Sequence, residues 1–379
     1  VMTNGAFVEQ TNYLNHATDE FPISPEPQTP AKDVLFALSK YDSAVEELRQ
    51  ASQRPYANVP LNYEDGFKSA TQLLPILAEL KRCTQLLQLR AIAELADGQN
   101  KKALDDVKLI LYLNNSLRTS PFLISDLVRF AMVAIDLQPV WEGLAKHEWS
   151  DEQLVALEAE LAKVDFLDDY GFMMRGERAF AIKSFENQRI TRQYTTWDNT
   201  LRTNIVHNYY FMPAAYFYQN ELAIAQMQQQ WILPLVDTNS RTISPEKFQQ
   251  ANDVVSAEIK NDHFAPYKVQ ALMLFPAAGA TVRKIAAIQS SIDLARVACA
   301  LERYHLAHGN YPETLDALAP QFIAKLPHDI IGGKPLHYRR ETNGQFILYS
   351  IGWDGKDDGG VESNRSRDEG DWVWQYPQK

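Results

Sequence analysis

Apolar residues recur at three- and four-residue steps from Leu73 to Gly98 (LLPILAELKRCTQLLQLRAIAELADG), the period of a helix with a buried face. Asp97-Gly98 ends that segment. Lys101 to Leu117 starts another helix after a short turn, and Leu123 to Leu144 forms a third behind Ser120-Pro121. Ser150-Asp151-Glu152-Gln153 reads as a capping box, with Ser150 accepting from the Gln153 N–H and Gln153 reaching back. It opens a helix over Asp151 to Val164, apolar at Leu154, Leu157, Leu161 and Val164. The pattern is helical throughout from Asp33 to about Arg192.

Beyond it the pattern loosens. Tyr194 to Ser244 is rich in aromatic residues, among them Trp197, Tyr209, Tyr210, Phe211, Tyr216, Phe217, Tyr218 and Trp231. Glu221 to Trp231 and Pro245 to Glu258 read as helices, and Pro266 to Ala280 as an apolar connection. Thr281 to His308 reads as a long amphipathic helix that Gly309-Asn310 terminates. A short helix at Thr314 to Pro320 follows. Leu336 to Arg340 and Gln345 to Ile351 alternate as strands do, and Asn343-Gly344 between them suits a type I′ turn, in which both central residues take positive φ. Trp372 to Gln375 predicts a last strand.

Together these elements predict a mainly α N-terminal domain and a small α+β C-terminal module, a long helix with an antiparallel sheet of about three strands. The expected division is an extended Pro-rich arm over 1–31, a helical domain over 32–279 and the α+β module over 280–379. The arm rests on Phe21 to Asp33, which has four prolines in its first ten residues. A length of 379 residues suits such a division. The net charge of −11 and the absence of any basic run of five residues argue against a nucleic-acid surface. Cys83 and Cys299 make neither a disulfide framework nor a zinc site, and both read as small buried side chains. No segment passes as a membrane span, since Ala265 to Val282 carries Lys268, Gln270, Pro266 and Pro276. The start at Val1-Met2 implies a trimmed or processed chain, so a signal or membrane tether lost from the N-terminus is part of the expectation.

Two resemblances rest on particular residues. The helical pair with Gly98 in its turn and Ala103 at the close approach resembles one tetratricopeptide-like hairpin, with no array at that period. The C-terminal module resembles the globular part of type II secretion major pseudopilins and type IV pilin-like proteins. The motifs are ALERYHLAHGNYPETLDAL (Ala300 to Leu318), the LPHD…GGKPLHY crossing (Leu326 to Tyr338), YSIGWDG (Tyr349 to Gly355) and DEGDW (Asp368 to Trp372). A pseudopilin opens with a basic leader and a long apolar helix, whereas here about 280 residues precede the helix. The whole chain also resembles a group of large planctomycete- and verrucomicrobium-type bacterial proteins, a likeness that implies no activity.

The pseudopilin resemblance implies a calcium site in the C-terminal loop. Carried over by position, the first side-chain ligand is Asp354, the preceding carbonyl is that of Ile351 and the late acidic ligand is Asp368. The neighbouring family aspartate falls on Arg367, and Asp357 and Asp358 stand as substitutes in a longer loop. The residues alone point to the same place. Calcium takes six to eight oxygens, and Asp354 to Asp371 carries seven acids against three bases. An EF-hand is excluded, because Lys356 and Arg365 stand at its third and twelfth positions. A solvated acidic loop, partly neutralised by Lys356, Arg365 and Arg367, is the alternative.

Other constellations read more plainly. Glu302-x-x-His305-x-x-His308 places ligand types on one helix face, as zinc sites do, but without an HExxH pattern, and His308 at the helix end suits the dipole. Glu177, in Arg175-Gly176-Glu177-Arg178, is a general acid or base only if buried, and an ion pair with either arginine is the simpler reading. Asp165, Asp168 and Asp169 gather at a helix end without a matching second cluster. GxSxG, P-loop and GxGxxG motifs are absent. The expected function is a non-catalytic periplasmic or envelope-associated protein that acts through a protein partner, with calcium stiffening the loop. The alternative is a hydrolase-type enzyme, or a peptide- or glycan-binding module, using the aromatic region 197–231.

Overall fold

The computed structural model describes residues 21–54, 57, 59, 67–198, 203–261, 268–363 and 368–376. Chain order runs α1 (Pro30–Leu38), α2 (Asp42–Ser52), α3 (Phe67–Ala96), α4 (Asn100–Ser116), α5 (Leu123–Ala145), α6 (Asp151–Leu161) and α7 (Phe166–Thr191). A hairpin β1 (Gln193–Asp198) and β2 (Thr203–Asn208) leads to α8 (Ala214–Met227). The short pair β3 (Val236–Asp237) and β4 (Thr242–Ile243), α9 (Pro245–Asn261) and α10 (Val269–His308) follow, then β5 (His337–Arg340), β6 (Phe346–Ser350) and β7 (Trp372–Gln375). The protein is thus mainly α with a small antiparallel sheet ordered β5-β6-β7.

Local chemistry sets most boundaries. The capping box at Ser150 forms as read, with Gln153 N–H donating to Ser150 Oγ at 3.3 Å and Ser150 N–H to Gln153 Oε1 at 2.9 Å. Asp165 caps α7 by accepting the N–H groups of Leu167 and Asp168 at 3.1 Å each. Gly98, at φ 73°, turns α3 into α4. The β5–β6 turn differs from the type I′ expectation. Only Gly344 takes positive φ, at 83°. Its N–H donates to the Glu341 carbonyl at 3.1 Å, and Asn343 Oδ1 accepts the Gln345 N–H at 2.9 Å. Thr342 lengthens the loop, so the turn proper falls on Thr342-Asn343 and Gly344 follows it with positive φ.

The long helix differs more. Residues 269–280, read as a connection, form the first turns of α10, and Gly279, the expected boundary, lies inside it. A Cβ on Gly279 would stand 2.3 Å from the Phe248 ring, so glycine there lets α9 and α10 touch. The part read as amphipathic is buried around most of its circumference: Ile285, Ile292, Ala295, Val297, Ala298, Cys299, Ala300 and Leu301 are all at 1% exposure or less. A helix apolar all round is a core helix. Two of its arginines are matched by α6, Arg296 with Glu158 at 2.8 Å and Arg303 with Asp151 at 2.8 Å. By length and composition alone α10 could cross a membrane, contrary to the expectation that no segment passes as a span. Yet 53% of its most apolar 18-residue stretch is buried within the protein, as in a core helix.

One apolar cluster runs from Ala91 on α3 through α5, α6, α7 and α10 to Leu348 and Trp374 of the sheet. The sheet is therefore cored by the same helices as the N-terminal part. A second cluster, with Leu77, Leu109, Ile110 and Phe122, fills the space under α2 to α5. Trp141 on α5 donates to the Gln375 carbonyl at 3.1 Å, tying the helical layer to β7.

Candidate functional site

The C-terminal loop is shaped chiefly by two aspartates outside the set expected to bind calcium. Asp329 is buried; it accepts the N–H groups of Ile331 and Ile351 at 2.8 and 2.9 Å and the Ser350 hydroxyl at 2.9 Å. Asp371 accepts N–H groups of Gly360 at 2.7 Å and of Asp358 and Val361 at 3.3 Å. Burial raises both carboxyls above their ordinary range, against the pull of these donors. The loop's return is tight at Gly352, φ 69°, where a Cβ would come within 2.1 Å of the Gly370 carbonyl.

The expected ligands lie around this frame. Asp354 Oδ1 accepts the Lys356 N–H at 3.1 Å. Asp357 accepts the Gly359 N–H and the Tyr349 hydroxyl, both at 3.0 Å, which lower its pKa. Asp358 is exposed. Asp368 pairs with Arg283 of α10. The Ile351 N–H is held by Asp329. Arg365 and Arg367 lie outside the described residues. These positions fit calcium in part. Asp354, Asp357 and Asp358 fall within five residues on one loop, but Asp368 is turned to Arg283, and no three of the carboxylates converge among the described residues.

A different ligand group does converge. His147, Glu302 and His305 offer one ligand atom each, none farther than 4.8 Å from another. Glu302 and His305 belong to the helix-face set expected from spacing, whereas its third member, His308, does not join them. His308 instead stacks on Tyr304, ring centroids 4.1 Å apart. His147 comes from the turn after α5 and is remote in sequence, so no spacing rule could have found it.

Glu177 is half-buried on α7, and burial raises its pKa. Its carboxylate accepts the Leu123 N–H at 3.2 Å. The expected ion pair with Arg175 or Arg178 is absent, because residues one or two apart on a helix face different ways. The cavity it shares with Ala181, Ile224, Met227, Ile232 and Ala271 holds about 50 Å³. Asp165, Asp168 and Asp169 are all engaged with arginines: Asp165 with Arg241, Asp168 with Arg118, and Asp169 with both Arg118 and Arg129.

The aromatic region divides. Tyr216 and Phe217 are buried, with Tyr209 packed on both. Tyr210, Phe211 and Tyr218 stand out into solvent, Phe211 completely. The side chain of Trp197 lies outside the described residues. Ile190 on α7, Leu222 on α8 and Met273 on α10 are exposed too, on helices that meet at this end where Arg189 lies over the Tyr218 ring and Asn220 binds Gln270. That end is knit together by Asn220 Oδ1, which accepts the Gln270 and Ala271 N–H groups at 3.0 and 3.2 Å, and by Gln270 donating to the Tyr209 hydroxyl at 3.2 Å.

Comparison of the chain with protein-family models, curated proteins and solved structures finds no match.

Proposed function

We propose that the protein is a non-catalytic, envelope-associated binding protein that docks on another protein through the apolar end formed by the 209–213 turn, α7, α8 and the start of α10. The observation that carries this is the set of large apolar side chains held outward on ordered elements, led by Phe211. Contiguous exposed apolar surface marks interaction sites, and tyrosine and phenylalanine are typical anchors. The hydrolase alternative gains nothing from Glu177, because small-molecule pockets span roughly 300–1,000 Å³ and its cavity holds about 50 Å³.

Affinity capture on full-length wild type and on the Tyr210→Ser/Phe211→Ser variant tests the reading. The expected result is a stoichiometric partner kept by the wild type and lost by the variant. Equal capture by both, or binding to lipid vesicles in place of protein, would overturn it. Calcium stiffening of the C-terminal loop belongs to the same proposal. Calcium then raises the melting temperature of the wild type relative to chelator, and Asp354→Ala removes the rise. An unchanged wild-type melting temperature would remove calcium from the reading.

A further inference from the structure

The geometry points to a divalent transition-metal site, with zinc the ion its donors suit best, formed by His147, Glu302 and His305 where the helical layer meets the C-terminal module. His147 follows α5 in the left-handed region, φ 57°, a conformation that usually selects glycine or asparagine. The turn is held from several sides. Glu148 N–H donates to the Gly143 carbonyl at 2.8 Å, Trp149 Nε1 donates to the Val140 carbonyl at 3.3 Å, and Asn100 binds the Glu148 carbonyl. Trp149 seats so closely on Gly143 that a Cβ there would meet its indole at 2.2 Å. Histidine is one of the few residue types besides glycine that enter this region readily, and these contacts fix where its ring points.

The turn aims His147 at α10. Its Nδ1 lies 2.7 Å from Glu302 Oε1, and its ring stacks on His305 at 5.0 Å. Glu302 is 1% exposed, and among the described residues no lysine or arginine pairs with it. Its other oxygen accepts the Tyr311 hydroxyl at 2.9 Å. His305 Nδ1 is buried without a hydrogen-bond partner among the described residues. The site thus gathers a buried carboxylate, an unpartnered ring nitrogen and a second imidazole. Two donors on one tetrahedral zinc stand roughly 3.3 Å apart at zinc–ligand lengths of about 2.0–2.2 Å. The distances here, 2.7 Å between His147 and Glu302 and none above 4.8 Å, bracket that spacing. Two histidines and a glutamate are a known zinc donor set that leaves a fourth position for water. The His147 side chain is 39% exposed, so the ion has a way in. Tyr311 would orient Glu302 from behind, as outer partners of metal ligands do.

Equilibrium dialysis of the full chain against zinc chloride, with metal analysis, tests the site in wild type, His147→Asn, His305→Ala and Tyr311→Phe. Asparagine tolerates the left-handed turn, so His147→Asn keeps the fold, which near-ultraviolet circular dichroism checks. The wild type should retain one zinc ion per chain. His147→Asn and His305→Ala should each weaken binding by more than about a hundredfold, and Tyr311→Phe by roughly 10- to 100-fold. Wild type that holds no more zinc than folded His147→Asn would overturn the site and leave a plain histidine–glutamate pair.

Discussion

Asp136 sits within α5 at 1% exposure, and neither of its carboxyl oxygens has a hydrogen-bond partner among the described residues. Burial alone pushes its pKa well above the ordinary 3.8. Burial thus favours the neutral acid in the fold, while the solvated side chain of the unfolded chain ionises in its ordinary range. Folding is therefore coupled to proton uptake above pH 3.8, and the coupling costs stability as pH rises. Each pH unit over which the fold keeps the proton and the unfolded chain loses it is worth about 1.36 kcal/mol. An asparagine in its place would bury a neutral group of the same shape at every pH and avoid the cost. Asp136→Asn should therefore be more stable than wild type at pH 7, by at least about 1 kcal/mol for each pH unit of proton retention, with the gap closing as pH falls to about 4. The sign follows from proton uptake: the folded state binds more protons than the unfolded one above 3.8, so wild-type stability falls with rising pH relative to the variant. Urea unfolding of both proteins between pH 4 and pH 7.5 reads this directly. Parallel pH profiles, or a variant less stable at pH 7, would refute the reasoning and show that Asp136 is charged and satisfied in the fold.

Arg129, fully buried, binds Asp126 and Asp169 at 2.8 Å each. Arg129→Met leaves both carboxylates without it and should cost about 3–5 kcal/mol in denaturant unfolding. Asp371→Ala strips one acceptor from the N–H groups of Asp358, Gly360 and Val361. It should cost about 1–3 kcal/mol and speed hydrogen exchange at those amides while leaving α3–α5 unchanged. Cys299 is wholly buried and its thiol pKa is raised, first by burial and then by Glu158 and Glu302. Alkylation under native conditions should mark Cys83, which is half-buried, and spare Cys299 until the protein unfolds.

Helices with caps and clean periodicity were legible in the sequence. Ser150 and Asp97-Gly98 mark their ends by local chemistry, and the structure keeps those ends. The three strands of the C-terminal sheet were legible for the same reason. The environment of α10 was not, because Ala295, Ala298 and Ala300 are neutral in any periodic pattern and their burial depends on α5, α6 and the sheet arriving together. The same limit hid His147. Its partner Glu302 is 155 positions away, and the packing of α5 on α10 together with the left-handed turn brings the two side chains to hydrogen-bond distance. Asp329 and Asp371 were overlooked because their role is to hold backbone N–H groups across a turn, which no ligand-spacing pattern describes.

The central functional claim is that the apolar end is a docking surface. A photo-crosslinking residue placed at Phe211 in the full chain, with the same residue at exposed Leu306 as control, tests it most directly. One dominant protein adduct is expected from position 211 and none from position 306. No adduct from position 211, or the same diffuse adducts from both, would contradict it.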